Sequence, residues 1–159
     1  MARLLAVLPC EKIIVDREGI PSLIALFQQI HAAPMGRRND GTAVPIAPNT
    51  ITAKEWAVFS EWKPEPDDIG KQVNQVLELQ YPDGTLSPVR GKVPFTFTND
   101  RPHRNQQNII GFPIGQEGNY TLRVWLEKDG NPISEVNSYE MAVSHSIPPG
   151  HQGKPTPST

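Results

Sequence analysis

The sequence predicts an all-β protein, an antiparallel β-sandwich of roughly eight strands with a disordered C-terminal tail. Three observations favour this class. Apolar residues alternate with a period of two, turn residues interrupt them at regular intervals, and 17 prolines are spread over the 159 residues. Prolines spread in this way suit strand ends and loops better than long helices. We expect one sandwich domain over residues 1–143 and a tail over residues 144–159.

The first predicted strand contains the only cysteine. An export signal with a lipid-acceptor cysteine needs an apolar core of about 7–15 residues and a small residue before the cysteine. Here the run Leu4–Leu8 has five residues, and Pro9 precedes Cys10. The β-branched run Ile13–Val15 and the turn at 16–19 continue a strand pattern instead. We therefore interpret this segment as the first strand of a folded domain, with a bulge or bend at Pro9 and a buried Cys10.

Residues 22–32 fit two structures. Apolar residues from Leu23 to Ile30 have the helical spacing i, i+3, i+4, i+7, and Ser22 is a suitable N-cap. The alternation of Leu23, Ala25 and Phe27 also fits a buried strand. The sequence leaves both open, and we favour the strand because the neighbouring segments are strands with short connections.

A loop of 17 residues, 34–50, separates these elements from the rest of the sheet pattern. Loops of this length inside a compact domain are often functional or mobile. Further strands are predicted at 55–62, 76–81, 92–98, 108–114, 120–127 and 139–143. Pro94 indicates that its strand is an edge strand or carries a bulge.

Alternation also predicts which side chains share a face. The even-numbered residues from Trp56 to Trp62 form one face, and those from Tyr120 to Leu126 form another. The odd-numbered residues from Thr121 to Glu127 point the opposite way. Lys128–Asn131 then predicts a hairpin turn, because Gly130 adopts a positive φ without strain.

Two resemblances accompany this pattern. The stretch EGNYTL (117–122) resembles the entry to the penultimate strand of immunoglobulin-like domains, in which a tyrosine hydroxyl bonds to nearby backbone. Tyr120 is the matching residue, so the resemblance implies an immunoglobulin-like sandwich. The cysteine pair of antibody domains is absent from the sequence.

A broader resemblance covers most of residues 1–143. The segment 10–24 (CEKIIVDREGIPSLI), the tryptophan-to-serine stretch 56–60, PDG at 82–84, FPI at 112–114 and the GNY strand together resemble a family of small uncharacterised bacterial proteins. That family is a domain of unknown function, so it implies a bacterial, cytoplasmic protein and no assigned activity, cofactor or catalytic residue.

The composition limits the partners. The net charge is −2, so no excess of positive charge indicates nucleic acid. No apolar run approaches the about 20 residues needed to span a bilayer, and we expect no membrane association. A single cysteine cannot form an internal disulfide, which favours the cytoplasm.

The most polar segment, residues 98–108, is predicted to be a loop between two strands. It contains Arg101, His103 and Arg104, which together suit an anion such as a phosphate or a carboxylate. Arg37 and Arg38 of the long loop would join them if the two loops met. The competing interpretation is a solvated loop without a ligand.

A second candidate site surrounds Trp125. If Trp125 points outward with Arg123 and Glu127, it leaves a large aromatic side chain on a sheet face, which is a common anchor for a protein partner. The alternatives are that both faces of this strand are buried, or that a second copy of the chain covers it.

No catalytic motif is present in the sequence. Cys10 has no recognisable histidine partner, and the four histidines form neither a catalytic motif nor a metal-ligand spacing, so we expect no catalytic residues, no cofactor and no metal. Two functional hypotheses remain. The first is a non-catalytic sandwich that acts by contact with another protein or with itself. The alternative is a binder of a small anionic ligand, or a weak enzyme, built on residues 98–108.

Overall fold

The computed structural model describes residues 1–33, 38–40 and 42–145, apart from the side chain of Val89. The described part contains ten strands and one short 3₁₀ helix, Pro66–Asp68. The strands are β1 (Arg3–Val15), β2 (Pro21–Leu26), β3 (Gln29–His31), β4 (Glu55–Lys63), β5 (Gln72–Gln80), β6 (Leu86–Thr96), β7 (His103–Ile110), β8 (Gly118–Lys128), β9 (Asn131–Pro132) and β10 (Asn137–Ser144). The predicted all-β class is therefore confirmed.

The strands form two sheets. Sheet A has four strands in the order β2-β1-β4-β7, and sheet B has the order β3-β10-β8-β5-β6, with β9 paired to β8. Most neighbours are antiparallel, but β3 runs parallel to β10. Sheet B is therefore mixed, which differs from the purely antiparallel architecture that the sequence predicts.

The core lies between the inner faces of the two sheets. Sheet A contributes Trp56, Val58 and Trp62, and sheet B contributes the even-numbered residues from Tyr120 to Leu126. All of these side chains are at most 4% exposed. The faces predicted from alternation are confirmed, because apolar side chains at every second position of a strand meet one core.

Strand β1 contains Cys10 and passes without interruption through Pro9. The predicted bulge at Pro9 is wrong, since the register shift lies between Leu4 and Ala6. The carbonyl of Pro9 accepts a bond from Phe27 N (2.8 Å) beyond the end of β2. The N–H and C=O of one strand residue point to the same side, so the missing N–H of Pro9 removes no bond to β4.

Residues 22–32 form two short strands and no helix, as the favoured interpretation predicts. Strand β2 ends at Leu26 and β3 begins at Gln29. Ala25 has a φ of 52°, a left-handed conformation that is uncommon for alanine, and it lies between the last two pairs that β2 makes with β1, Ile24 with Lys12 and Leu26 with Cys10. The chain then crosses from sheet A to sheet B at Phe27, which stacks on Trp56.

Two predicted boundaries in the second half of the chain are wrong. Strand β7 covers His103–Ile110, so most of the predicted loop 98–108 is strand. The predicted strand 108–114 ends at Ile110, and Phe112 and Ile114 are buried from the connection that follows. The strand ends there because Gly111 has a φ of 88°.

The β8–β9 hairpin has the predicted turn, with Asp129 and Gly130 at φ values of 51° and 80°. The tyrosine hydroxyl also bonds to nearby backbone, as the resemblance implied. Oη of Tyr120 donates to the carbonyl of Gln116 at 3.1 Å. Strand β10 extends to Ser144, and residues 146–159 of the predicted tail lie outside the described residues.

Candidate functional site

Trp125 points away from the core, as alternation predicts, but it is only 4% exposed. The guanidinium groups of Arg90 and Arg123 lie over its ring, 5.6 Å and 5.8 Å from the centroid. Its Nε1 donates to Oε1 of Glu127 at 3.2 Å. The expected exposed patch around Trp125 is therefore wrong, because the long side chains of Arg123, on the same strand, and Arg90, on β6, cover the ring.

Trp125 belongs to an ion network on the outer face of sheet B. The carboxylate of Glu78, 2% exposed, accepts bonds from Arg90 Nε at 2.6 Å and Arg123 Nη1 at 2.8 Å. Glu127 pairs with Lys92 at 2.7 Å. We call Trp125 and these five charged residues the outer-face ion network. Both of its carboxylates are paired, and its arginines cover the Trp125 ring.

The pKa of Glu127 is lowered from the ordinary carboxyl value. The hydrogen bond from Lys92 is the largest cause, burial opposes it, and the bond from Trp125 adds to the lowering. Glu127 is therefore ionised at neutral pH, in keeping with its paired position.

The three residues of the predicted anion site do not meet. The ring of His103 stacks on Phe95 with centroids 4.2 Å apart. The next residue, Arg104, points to the opposite face, where its Nε donates to Glu61 at 2.8 Å. Arg101 is exposed in the preceding loop, beside a small pocket that His103 also borders. Neighbouring residues of a strand point to opposite faces, so His103 and Arg104 do not share a cleft.

The arginines of the long loop give no further support for this site. Arg37 lies outside the described residues. The backbone of Arg38 donates to Thr42 O at 2.8 Å in a local turn.

Cys10 is fully buried, as expected for a cysteine inside the folded domain. Burial raises the pKa of its thiol, and a backbone hydrogen bond from Lys12 only partly opposes this. A protonated, buried thiol is a poor nucleophile.

The described histidines have structural partners. His31 Nδ1 bonds to Ser144 Oγ at 2.8 Å, and His145 Nε2 lies 2.6 Å from Ile114 O. His103 Nε2 lies 3.0 Å from Asn105 Oδ1. His151 lies outside the described residues. Across residues 1–33, 38–40 and 42–145, no three His, Cys, Asp or Glu side chains cluster as metal ligands would.

A buried polar cluster, which the sequence pattern does not predict, lies inside the core. Oε1 of Gln75 accepts bonds from Ser60 Oγ (2.5 Å), Trp62 Nε1 (2.7 Å) and Asn105 Nδ2 (3.1 Å). Because the indole nitrogen only donates, it fixes the orientation of the Gln75 amide. The one available signal was Ser60, a polar residue on an otherwise apolar predicted face.

Exposed apolar side chains concentrate on the β1–β2 hairpin. Ile14, Ile24 and Leu26 lie on the outer face of sheet A and are 45%, 43% and 49% exposed. The pairing of β1 with β2 and β4 puts them on the same face as the buried Cys10 and Ala57. We call Ile14, Ile24 and Leu26 the hairpin surface. The sequence predicted a contact site at Trp125, whereas in the structure the exposed apolar side chains lie on the hairpin surface.

Strand β2 is also a terminal strand of sheet A, and no described strand pairs with its outer edge. Its sequence, PSLIAL, contains no ionisable side chain. An unpaired edge without charge is a template for pairing with another chain.

Neither a family model nor a curated protein matches this chain. No helix in the described residues has the length and apolar character needed to cross a bilayer.

Proposed function

We propose that the protein is a non-catalytic β-sandwich that acts by contact, and that its contact is self-association through β2 and the hairpin surface. The observation that carries this proposal is an edge strand without charged residues or a partner on its outer edge, which carries the exposed side chains of Ile24 and Leu26. Pairing of this edge satisfies backbone groups and removes apolar side chains from water in one step.

Charge favours a second copy of the chain as the occupant. The other long edge strands carry ionisable groups, with Arg90 and Lys92 on β6 and Arg104 on β7. A twofold contact of either edge with its own copy brings like charges together. The side chains of two β2 strands meet without such repulsion, with the exposed Lys12 of β1 beside them opposite Ile24, and twofold dimers are the commonest soluble oligomers.

The test is the association state in solution. We expect sedimentation equilibrium to detect dimers at tens of micromolar protein, and the double variant Ile24→Lys/Leu26→Lys to weaken association at least about tenfold, since lysine on an edge opposes pairing. The matched control is Ile110→Lys, on the opposite edge strand β7 and 77% exposed, which should leave association unchanged. A wild-type chain that remains monomeric at about 100 µM, or equal effects of all the lysines, contradicts the proposal.

The alternative proposal is a small anionic-ligand binder built around Arg101. Arg101 and His103 both border the small pocket at the β6–β7 connection, which supports it. If this alternative holds, Arg101→Ala abolishes binding of inorganic phosphate in a calorimetric titration. The control Arg104→Ala should not, because Arg104 is paired with Glu61 on the other face. No measurable binding of phosphate to the wild-type chain excludes this alternative for phosphate.

We further propose that the sandwich is immunoglobulin-like and that the protein is a bacterial, cytoplasmic member of the uncharacterised family that it resembles. The bond from Tyr120 to Gln116 supports the first statement. The single cysteine, buried and unpaired, is consistent with a reducing compartment.

A further inference from the structure

The two sheets do not close completely along the side where β6 and β7 are the terminal strands. A cleft of about 420 Å³ opens there between the sheets. Its floor is the core itself, at Trp56, Leu77 and Leu122, and its rim includes Tyr81 and Ile109. This volume lies within the usual range for small-molecule sites, about 300–1,000 Å³.

The cleft walls are mainly apolar. Water that fills such a space finds few hydrogen-bond partners, so its displacement by an apolar ligand is favourable. Among the described residues, no lysine or arginine lines the cleft. Glu78 borders the cleft, but its carboxylate lies on the outer face of sheet B, where Arg90 and Arg123 hold it. A charged ligand would therefore enter without a counter-ion, which selects for a neutral molecule.

One polar group in the cleft has no partner. Gln107 lines the cleft, and its Oε1 is buried without a hydrogen bond from any described residue. A buried acceptor left unbonded is costly, so a ligand that supplies a donor gains from meeting it.

Gly91 leaves space for the amide that carries this acceptor. A Cβ atom at position 91 would lie 2.2 Å from Nε2 of Gln107, so a side chain there would displace the Gln107 amide from the backbone of β6. The amide lies between the two edge strands, at the place where they approach each other.

From these observations we infer that the β6–β7 cleft is a binding site for a neutral, mainly hydrocarbon small molecule that carries one hydrogen-bond donor, which is received by Oε1 of Gln107. The inference goes beyond the proposed self-association and involves the opposite edge of sheet A.

The probe is 1-aminoanthracene, a neutral, fluorescent aromatic amine whose three hydrocarbon rings carry a single amino group. We expect its emission to rise on titration with the wild-type chain, with a Kd below about 100 µM, together with quenching of tryptophan emission because Trp56 forms the floor. Absence of saturable binding in this range overturns the inference.

Two variants test the site itself. Leu79→Trp places a larger side chain in the cleft and should weaken binding at least about tenfold, and Gln107→Leu removes the acceptor with little change of volume and should weaken it about fivefold. The matched control is Gln106→Leu, on the same strand but exposed on the opposite face, which should bind as the wild type does. If Leu79→Trp does not fold, the test rests on the probe affinity of Gln107→Leu compared with that of Gln106→Leu, provided that the two variants have equal thermal stability. Equal affinity of those two variants overturns the inference.

The hairpin surface is the other apolar place where the probe could bind. The variant Ile24→Lys/Leu26→Lys should keep the wild-type affinity for 1-aminoanthracene even if it no longer self-associates. If that variant no longer binds the probe while Leu79→Trp binds it normally, the probe binds at the hairpin surface. That result refutes the cleft as the binding site and leaves the proposed self-association standing.

Discussion

Removing the cations that face Glu78 should destabilise the fold more than removing an equivalent surface arginine. The carboxylate of Glu78 is 2% exposed and is paired with both Arg90 and Arg123. Arg123→Met keeps most of the alkyl stem over Trp125 but removes one charged hydrogen bond, at a cost of about 1.5–3 kcal/mol. Arg90→Met/Arg123→Met leaves a buried, uncompensated charge, and we expect a total loss of about 3–5 kcal/mol.

The matched control is Arg104→Met. Its Nε is 2.8 Å from Glu61, the same distance that joins Arg123 to Glu78, but the side chain of Glu61 is 22% exposed. Water reaches that carboxylate when the arginine is removed, so the loss should not exceed about 1 kcal/mol. The difference between the two sites tests whether burial of the carboxylate, and not the pairing distance, sets the energy.

A triple variant separates unpaired charge from lost packing. Adding Glu78→Leu to the double variant removes the stranded carboxylate, and the free energy of unfolding should return to within about 1 kcal/mol of the wild type. The assay is urea unfolding at pH 7, at one fixed protein concentration because self-association contributes to apparent stability. A triple variant as unstable as the double variant would refute the reasoning and assign the loss to the uncovering of Trp125.

Three further predictions concern single groups. Tyr120→Phe should lower the free energy of unfolding by about 0.5–1.5 kcal/mol, whereas the control Tyr139→Phe should change it by less than about 0.5 kcal/mol. Equal effects of the two variants in urea unfolding would mean that the Tyr120 hydroxyl does not stabilise the fold. Because the pKa of Glu127 is lowered in the fold, its contribution is complete above the ordinary carboxyl range and is lost as pH falls through the lowered value. The stability difference between wild type and Glu127→Gln should therefore be larger at pH 7 than at pH 3, and a constant difference would count against it. The thiol of Cys10 should react with a disulfide reagent at least about 100-fold faster in denaturant than in the native protein, and similar rates would mean that the thiol is accessible in the native protein.

Alternation in the sequence predicted the inner faces well for a physical reason. The side chains of Trp56, Trp62 and Leu122 must all leave water, and only one face of each strand can place them together. The same argument does not decide between strand and helix for residues 22–32, because Ile24 and Leu26 stay exposed on β2. There the strand was favoured only because the neighbouring segments are strands. The parallel pairing of β3 with β10 has no such local signal, since it joins residues more than a hundred positions apart.

The functional surfaces were harder to predict because alternation assigns a face and not an exposure. Trp125 does point outward, but whether it is covered depends on Arg90, which comes from a strand that is not adjacent in the sequence or paired with β8. The first five residues of β7 were predicted as loop for a related reason. Its inner positions include Asn105, which donates to Gln75, and Gln107, which lines the cleft. The strand therefore lacks the apolar alternation that marks the other strands.

The two proposed sites follow from one property of an open sandwich. Where long charged side chains cover a sheet face, as they cover Trp125, that face has no free apolar surface. A partner or ligand then binds at the edges of the sheets. Sheet A has two edges, β2 and β7, separated by β1 and β4. With about 4.8 Å between neighbouring strands, these edges lie about 14 Å apart. Substitutions at that separation with no shared neighbours usually act additively. The effect of Ile24→Lys/Leu26→Lys on association should therefore be the same with Gln107→Leu, on β7, present or absent, and strong coupling between them would mean that the sheet transmits a change from one edge to the other.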